Sequence, residues 1–240
     1  MKSAYLFDID GTLTPPTQKM SGDFVYFFLE WSKGKDFFLV GGSSYNSLIC
    51  QLPSSVINRS KGVFSSMGNQ LHIDGDLIYS NDWRPPTSLL SELLTWHSKS
   101  PYPNKKKKYL ESRIGMINFA VAGRESNQRQ RKEYFQWDEL HRERETISHD
   151  LSKKFPKLDI RVGGMISLDI QPKGKNKSQA LNWVRNLNKY NKILYFGDKG
   201  FEGGNDYDAK INIQKHKDGK FYDVKDCSDT KNILSSLNET

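Results

Sequence analysis

The chain has 240 residues and carries 36 Lys and Arg against 28 Asp and Glu, a net charge of +8. That length allows one or two domains of roughly 100–200 residues each, and its 13 phenylalanines, 11 tyrosines and 5 tryptophans argue against disorder. No apolar run approaches the roughly 20 residues that a membrane span needs, and no leader pattern precedes the first strand-like run, so a cytoplasmic protein without membrane attachment is expected.

Two distant cysteines, Cys50 and Cys227, have neither metal-ligand nor redox spacing and read as free thiols. The positive charge points to an anionic partner, either phosphorylated small molecules or nucleic acid.

In chain order, AYLFDI (4–9), a helical pattern near 21–33, DFFLVGG (36–42), a helix near 44–52 and GVFSSM (62–67) alternate as βαβ units on a parallel sheet. LHIDGDLIYS then reads as a hairpin with Asp74-Gly75 at its turn, and Pro85-Pro86 follows. The pattern next turns antiparallel, with GMINFAVAG (115–123), a long charged helix over about 128–154, and strands around Gly163-Gly164. After PKGKNK come a helix over QALNWVRNLNK, the strand KILYFGD (192–198) and a last helix near 229–237. The expected fold class is α/β: a Rossmann-like parallel-sheet core over 1–81 and 177–240, with an inserted α+β cap over 82–176. The lysine run 105–108 reads as a solvated loop or a phosphate contact.

The chemistry concentrates where strands end. Asp8 and Asp10 stand at i and i+2 just before Gly11, so a turn can aim both beyond the carboxyl end of the sheet, where ligands bind in open α/β folds. Adjacent carboxylates repel unless a cation lies between them, and hard Mg²⁺ suits oxygen ligands. One carboxylate can attack phosphorus while the other moves a proton. GDKGFEGGND supplies Asp198 at a second strand end, with Asp206 eight residues on. VGGSS ends a third strand, and the Ser43 hydroxyl with nearby N–H groups can hold phosphate oxygens. Lys177 just precedes a helix and can neutralise a transferring phosphoryl group.

Together, DIDGT, GGS, the later lysine and GDKGFEGGND resemble the four motifs of the haloacid dehalogenase superfamily of phosphotransferases. The resemblance implies Asp8 as a nucleophile forming an aspartyl phosphate and Asp10 as general acid and base. It also implies Mg²⁺ held by the Asp8 side chain, the Asp10 backbone carbonyl and Asp198.

DGTLTPPTQKM, VGGSS, RIGMINFAVAGRESNQRQR, VGGMISLDIQPKG and YFGDKGFEGGND further resemble segments of the eukaryotic-type phosphomannomutases, nearly end to end. That likeness implies substrate binding by Arg113, Arg124, Arg131, Ser167 and Asp169. It also implies interconversion of mannose 6-phosphate and mannose 1-phosphate, activation by a sugar 1,6-bisphosphate, a role in GDP-mannose supply, and a homodimer through the cap. The chemistry agrees, because a dianionic phosphate suits guanidinium forks and sugar hydroxyls suit carboxylate or hydroxyl partners. The alternative is that Arg124 and Arg131 belong to a solvated basic helix with Arg129, Arg142 and Arg144.

The sequence departs from the family at two places. Thr17 stands where the family has an arginine, and Lys210, Asn212 and Lys215 stand where it has a second metal site. The first departure keeps open a capped, Mg²⁺-dependent sugar-phosphate phosphatase. A nucleic-acid-binding role rests on net charge alone, and the intact Asp8, Asp10 and Asp198 speak against it, so no nucleic-acid partner is expected.

Overall fold

Alternating apolar runs set the strand order, and a computed structural model shows how they assemble. The structure describes residues 2–16 and 18–237, so Thr17 lies outside the described residues. In chain order the elements are β1 (Ser3–Asp8), α1 (Gly22–Trp31), β2 (Asp36–Val40), α2 (Tyr45–Gln51), α3 (Ser54–Arg59), β3 (Val63–Ser65), β4 (Gln70–Ile73) and β5 (Asp76–Ser80). There follow α4 (Thr87–Lys99), β6 (Leu110–Arg113), β7 (Met116–Phe119), α5 (Gln128–His141), α6 (Glu143–Lys154), β8 (Leu158–Gly163) and β9 (Ser167–Pro172). The chain ends with α7 (Ser178–Asn186), β10 (Lys192–Gly197), α8 (Tyr207–His216), β11 (Gly219–Asp223) and α9 (Cys227–Ser236). It divides into two compact units, Met1–Asn81 with Lys175–Thr240, and Asp82–Gly174.

The first unit is built on a seven-stranded sheet of order β11-β10-β1-β2-β3-β4-β5. The first five strands run parallel, and β4 and β5 add an antiparallel hairpin. Because strand side chains alternate faces, Phe7, Phe37, Leu39, Leu194 and Phe196 fall in one core with α1, α3 and α9. Leu6, Phe38, Val40, Phe64 and Tyr195 fall in another with α7 and α8. Both faces are therefore covered, as a parallel sheet requires. Phe7 stacks on Phe196 at 4.7 Å between centroids and meets Phe28 edge-on at 5.1 Å. Full burial of each such ring contributes about 1.5–3 kcal/mol.

The second unit has a four-stranded antiparallel sheet of order β6-β7-β9-β8. Ile117, Phe119, Leu168, Ile170 and Ile160 share one apolar core with Leu89 and Leu93 of α4, Tyr134 of α5, and Ile147 and Leu151 of α6. The alternate residues, Glu111, Arg113, Asn118, Ser167 and Asp169, then occupy the opposite face.

Two findings differ from the sequence reading. The single charged helix expected over 128–154 is broken at Arg142, which adopts φ 52° and ψ 32°. A left-handed residue costs roughly 1–2 kcal/mol, and Asp138 offsets it by accepting from Arg144 N at 2.9 Å and Arg144 Nε at 2.7 Å. In addition, α3, α4, β6, α8 and β11 form where the sequence reading assigned no element.

Candidate active site

β1 is the middle of the parallel strands, and its last residue is Asp8. Phe7 pairs with Phe196 and Asp8 with Val40, so Asp8, Asp198 and the Gly41–Ser44 loop all leave the sheet at one edge. Gly11 sits at φ +87°, where a Cβ would collide with the Asp198 carboxylate. The glycine after the two aspartates thus permits both the turn and the approach of Asp198.

Lys177 stands at the N-cap of α7 with its side chain fully buried. Its Nζ donates to Asp8 Oδ1 at 2.5 Å, Asp206 Oδ1 at 2.8 Å and Asn205 Oδ1 at 3.2 Å. Three acceptors exhaust the three ammonium protons. Burial alone would lower the Lys177 pKa, but the charges of Asp206 and Asp8 outweigh it and raise it, so the side chain stays cationic. For Asp8, burial and then the Asp206 charge push the pKa up, and Lys177 acts against both.

From the sequence Asp206 reads only as a further carboxylate, yet it is fully buried and central. Its Oδ1 also accepts from the Tyr195 hydroxyl at 2.8 Å, and its Oδ2 accepts from Lys199 N at 3.2 Å. Tyr195 was missed altogether, because on β10 it reads as one more core aromatic.

Carboxylate oxygens of Asp8, Asp198 and Asp206 lie within 4.8 Å of one another. Asp198 Oδ1 is buried and has no hydrogen-bond partner among the described residues. A buried carboxylate oxygen left unpaired is costly, and a hard divalent cation held by oxygen ligands resolves it. The residues present therefore fit such an ion. The side-chain cluster contains Asp206 and not Asp10, whose expected contribution was its backbone carbonyl. Asp10 lies just beyond β1 in an isolated parallel bridge with Thr14. Ser43 follows β2, but Ser44 caps α2 by accepting from Ser47 N.

In the second unit the arginines expected to meet phosphate have different surroundings. Glu111, two residues before Arg113 on β6, accepts from Arg113 Nε at 3.2 Å and Nη2 at 3.3 Å. Arg124, beyond β7, also reaches Glu111 Oε2, with Nε at 2.6 Å and Nη2 at 2.5 Å. Arg131 is no solvated helix residue: its Nε donates to Ser126 O at 2.8 Å and its Nη2 to Arg124 O at 3.3 Å, tying down the loop that carries Arg124. Arg129 and Arg142, in contrast, pair with Glu133 and Glu145 on the surface.

The register aligns Glu111, Asn118, Asp169 and Arg161 across the four strands. Asn118 Nδ2 donates to Asp169 Oδ1 at 2.5 Å. Ser167, on the same face of β9 as Asp169, donates to Gly163 O at 2.9 Å. Glu111 and Asn118 were missed, although the alternation in LESR and MINF aims both at the face of Arg113 and Asp169. The lysine run is tied into the unit: Lys105 donates to Ser98 O and Ser100 O, and Lys106 to Gln130.

Where the family has a second metal site, Lys210 donates to Asp223 Oδ2 at 2.7 Å, and Asn212 accepts from Arg185 at 2.5 Å. A family model described as eukaryotic phosphomannomutase matches residues 26–239, beginning downstream of Asp8 and Asp10. Phosphomannomutase 1 of Dictyostelium discoideum is 32% identical over 240 residues, spanning 97% of this chain and 95% of the relative. A phosphomannomutase of Spinacia oleracea is 35% identical over 214 residues, spanning 85% and 84%.

Among solved structures, a HAD subclass IIB sugar phosphatase superposes with TM-score 0.62 at 15% identity over the whole of both chains. The Plasmodium falciparum IMP-nucleotidase superposes with TM-score 0.62 at 16% identity, over all of this chain and 68% of the other. These two share the fold. The ends of β1, β2 and β10 and the start of α7 carry Asp8, Ser43, Asp198 and Lys177, and the relatives match 85–97% of the chain: the chain belongs to the eukaryotic phosphomannomutase family.

Proposed function

We propose that the chain interconverts mannose 6-phosphate and mannose 1-phosphate by way of an aspartyl phosphate on Asp8. The observation that supports this most is the buried contact of Lys177 with Asp8 beside the unpartnered oxygen of Asp198. A carboxylate nucleophile at the end of a central strand, with a fixed cation against it, is suited to attack on phosphorus.

In this reading Asp8 already carries a phosphoryl group: the free hydroxyl of a bound hexose phosphate forms a bond to that phosphorus as the bond from phosphorus to Asp8 breaks, and Asp10 takes the hydroxyl proton. The sugar bisphosphate turns round, an Asp8 oxygen attacks its other phosphorus as the bond to the sugar oxygen breaks, and Asp10 returns the proton to that oxygen. Lys177 balances charge on the phosphoryl oxygens. Ser43 donates to one of them.

A Mg²⁺ ion would be held by the Asp8 and Asp198 carboxylates and the Asp10 carbonyl. When bound, it neutralises charge on the transferring group. Arg113, Arg124, Arg131, Ser167 and Asp169 recognise the rest of the sugar phosphate, with guanidinium groups serving the phosphate and Ser167 and Asp169 the hydroxyls. The domain boundaries expected at 81/82 and 176/177 belong to the same reading. So do a cytoplasmic setting, a homodimer through the second unit, activation by a sugar 1,6-bisphosphate and a role in GDP-mannose supply, all supported by the family resemblance.

Purified protein incubated with mannose 1-phosphate, Mg²⁺ and a sugar 1,6-bisphosphate should form mannose 6-phosphate, read by a coupled assay. Inorganic phosphate appearing with no hexose 6-phosphate would sink the mutase reading in favour of a phosphatase.

A further inference from the structure

Glu111 does something that the phosphate-clamp reading of Arg113 and Arg124 does not explain. Its Oε2 receives Arg124 Nε at 2.6 Å, Arg124 Nη2 at 2.5 Å and Arg113 Nη2 at 3.3 Å, while Oε1 receives only Arg113 Nε at 3.2 Å. Three guanidinium nitrogens thus crowd one oxygen that has two lone pairs. A phosphate, with three anionic oxygens and up to two charges, can spread the same donors over separate acceptors.

The pair is also placed where it can be exchanged. Glu111 and Arg113 share one face of β6 at i and i+2, and their side chains are 37% and 36% exposed, so the carboxylate can turn to water at small cost. Arg124 is more enclosed at 14%, and Arg131 holds its loop through the Arg124 and Ser126 carbonyls. Arg124 is therefore fixed more firmly from behind than Glu111 is, while Arg113 is as exposed as Glu111. Burial raises the Glu111 pKa, and the hydrogen bond and charge of Arg113, followed by Arg124, outweigh it, so the carboxylate is anionic at neutral pH.

We propose that Glu111 is a built-in competitor for the phosphate: it keeps Arg113 and Arg124 side by side when no phosphate is bound and must release them when one arrives. This deepens the substrate-binding reading above and rests on it. Glu111 thereby sets a threshold for the anion. A dianion with three oxygens outcompetes one carboxylate for the two forks, whereas a monoanionic ligand offers the arginines little more than Glu111 does.

The test titrates sulfate against wild type and Glu111→Gln, reading the thermal unfolding midpoint. The glutamine keeps the shape and one acceptor but removes the charge. Half of the sulfate-induced shift should come at least threefold lower in sulfate for the variant, and adding Arg124→Ala should remove that gain. An unchanged or higher sulfate requirement in a Glu111→Gln protein of native circular dichroism overturns the proposal. In the coupled assay the KM for mannose 1-phosphate should fall by a similar factor. If wild type shows no turnover at all, the mutase reading fails, and the sulfate comparison still decides the role of Glu111.

Discussion

Lys177 and Asp206 form an ion pair in which neither side chain has any exposed surface, with Nζ 2.8 Å from Oδ1. Asp8 lies on the other side of the same ammonium, at 2.5 Å. One cation therefore holds two carboxylates in a volume where neither could remain charged alone.

Replacing Lys177 with methionine removes that cation and leaves two buried carboxylates facing each other. Breaking a buried pair from one side costs about 3–5 kcal/mol. Lys177→Met should lose stability on that scale in urea denaturation without divalent cation, and should lose mutase turnover. A loss below about 1 kcal/mol, the range of a surface pair, would show that Lys177 does not balance these charges.

Tyr195→Phe tests the layer beneath. The phenol is fully buried, its pKa raised by burial and next by Asp206, so it remains a protonated donor to Asp206 Oδ1. Deleting one such bond to a charged group costs about 1.5–3 kcal/mol. Since Asp206 fixes Lys177, kcat should fall several-fold with KM for mannose 1-phosphate nearly unchanged. A change confined to KM would mean that Tyr195 acts elsewhere.

Asp8, Ser43, Lys177 and Asp198 were legible in the sequence because each is a polar residue set where a buried strand or helix begins or ends, a place where charge needs a purpose. The α/β sheet was legible for the same reason, since AYLFDI, DFFLV and KILYFG are nearly continuous apolar runs. Tyr195 was not legible: its ring is ordinary for a strand, and only the fold brings its hydroxyl to Asp206. Glu111 pairs with Arg124 across a turn, 13 residues on, a separation that neither strand nor helix periodicity reveals. The break at Arg142 has no glycine or proline to announce it, because the Asp138 contact that stabilises it depends on how the two helices pack. In α4, Leu89 and Leu93 show helical spacing and are both buried, so that helix does carry a sequence signal.

The unpartnered oxygen of Asp198 carries a prediction about metal. If Asp8 and Asp198 hold a divalent cation, Mg²⁺ should raise the unfolding midpoint, with about 2.7 kcal/mol of stabilisation at one hundred times its dissociation constant. Asp198→Asn should abolish most of this shift, and chelation should stop turnover of the wild type. Equal Mg²⁺ shifts in wild type and variant would place the ion elsewhere.

Asp169 links stability to pH with a definite sign. Burial raises its pKa more than the Asn118 hydrogen bond and then the Arg113 and Arg124 charges lower it. A carboxyl whose folded pKa exceeds its unfolded one makes the native state hold more protons, so stability falls as pH rises through that interval. Its favourable contribution is complete below the unfolded pKa and gone above the folded one. Asp169→Asn removes the titration, so the variant should gain stability relative to wild type as pH rises from about 4 to 7, the window above the ordinary aspartate value. Its mutase activity should fall, because the amide replaces a carboxylate assigned to the sugar hydroxyls. Denaturation midpoints measured across that range check the sign, and a variant that loses ground to wild type with rising pH would show that Arg113 and Arg124 stabilise the Asp169 charge more than burial opposes it.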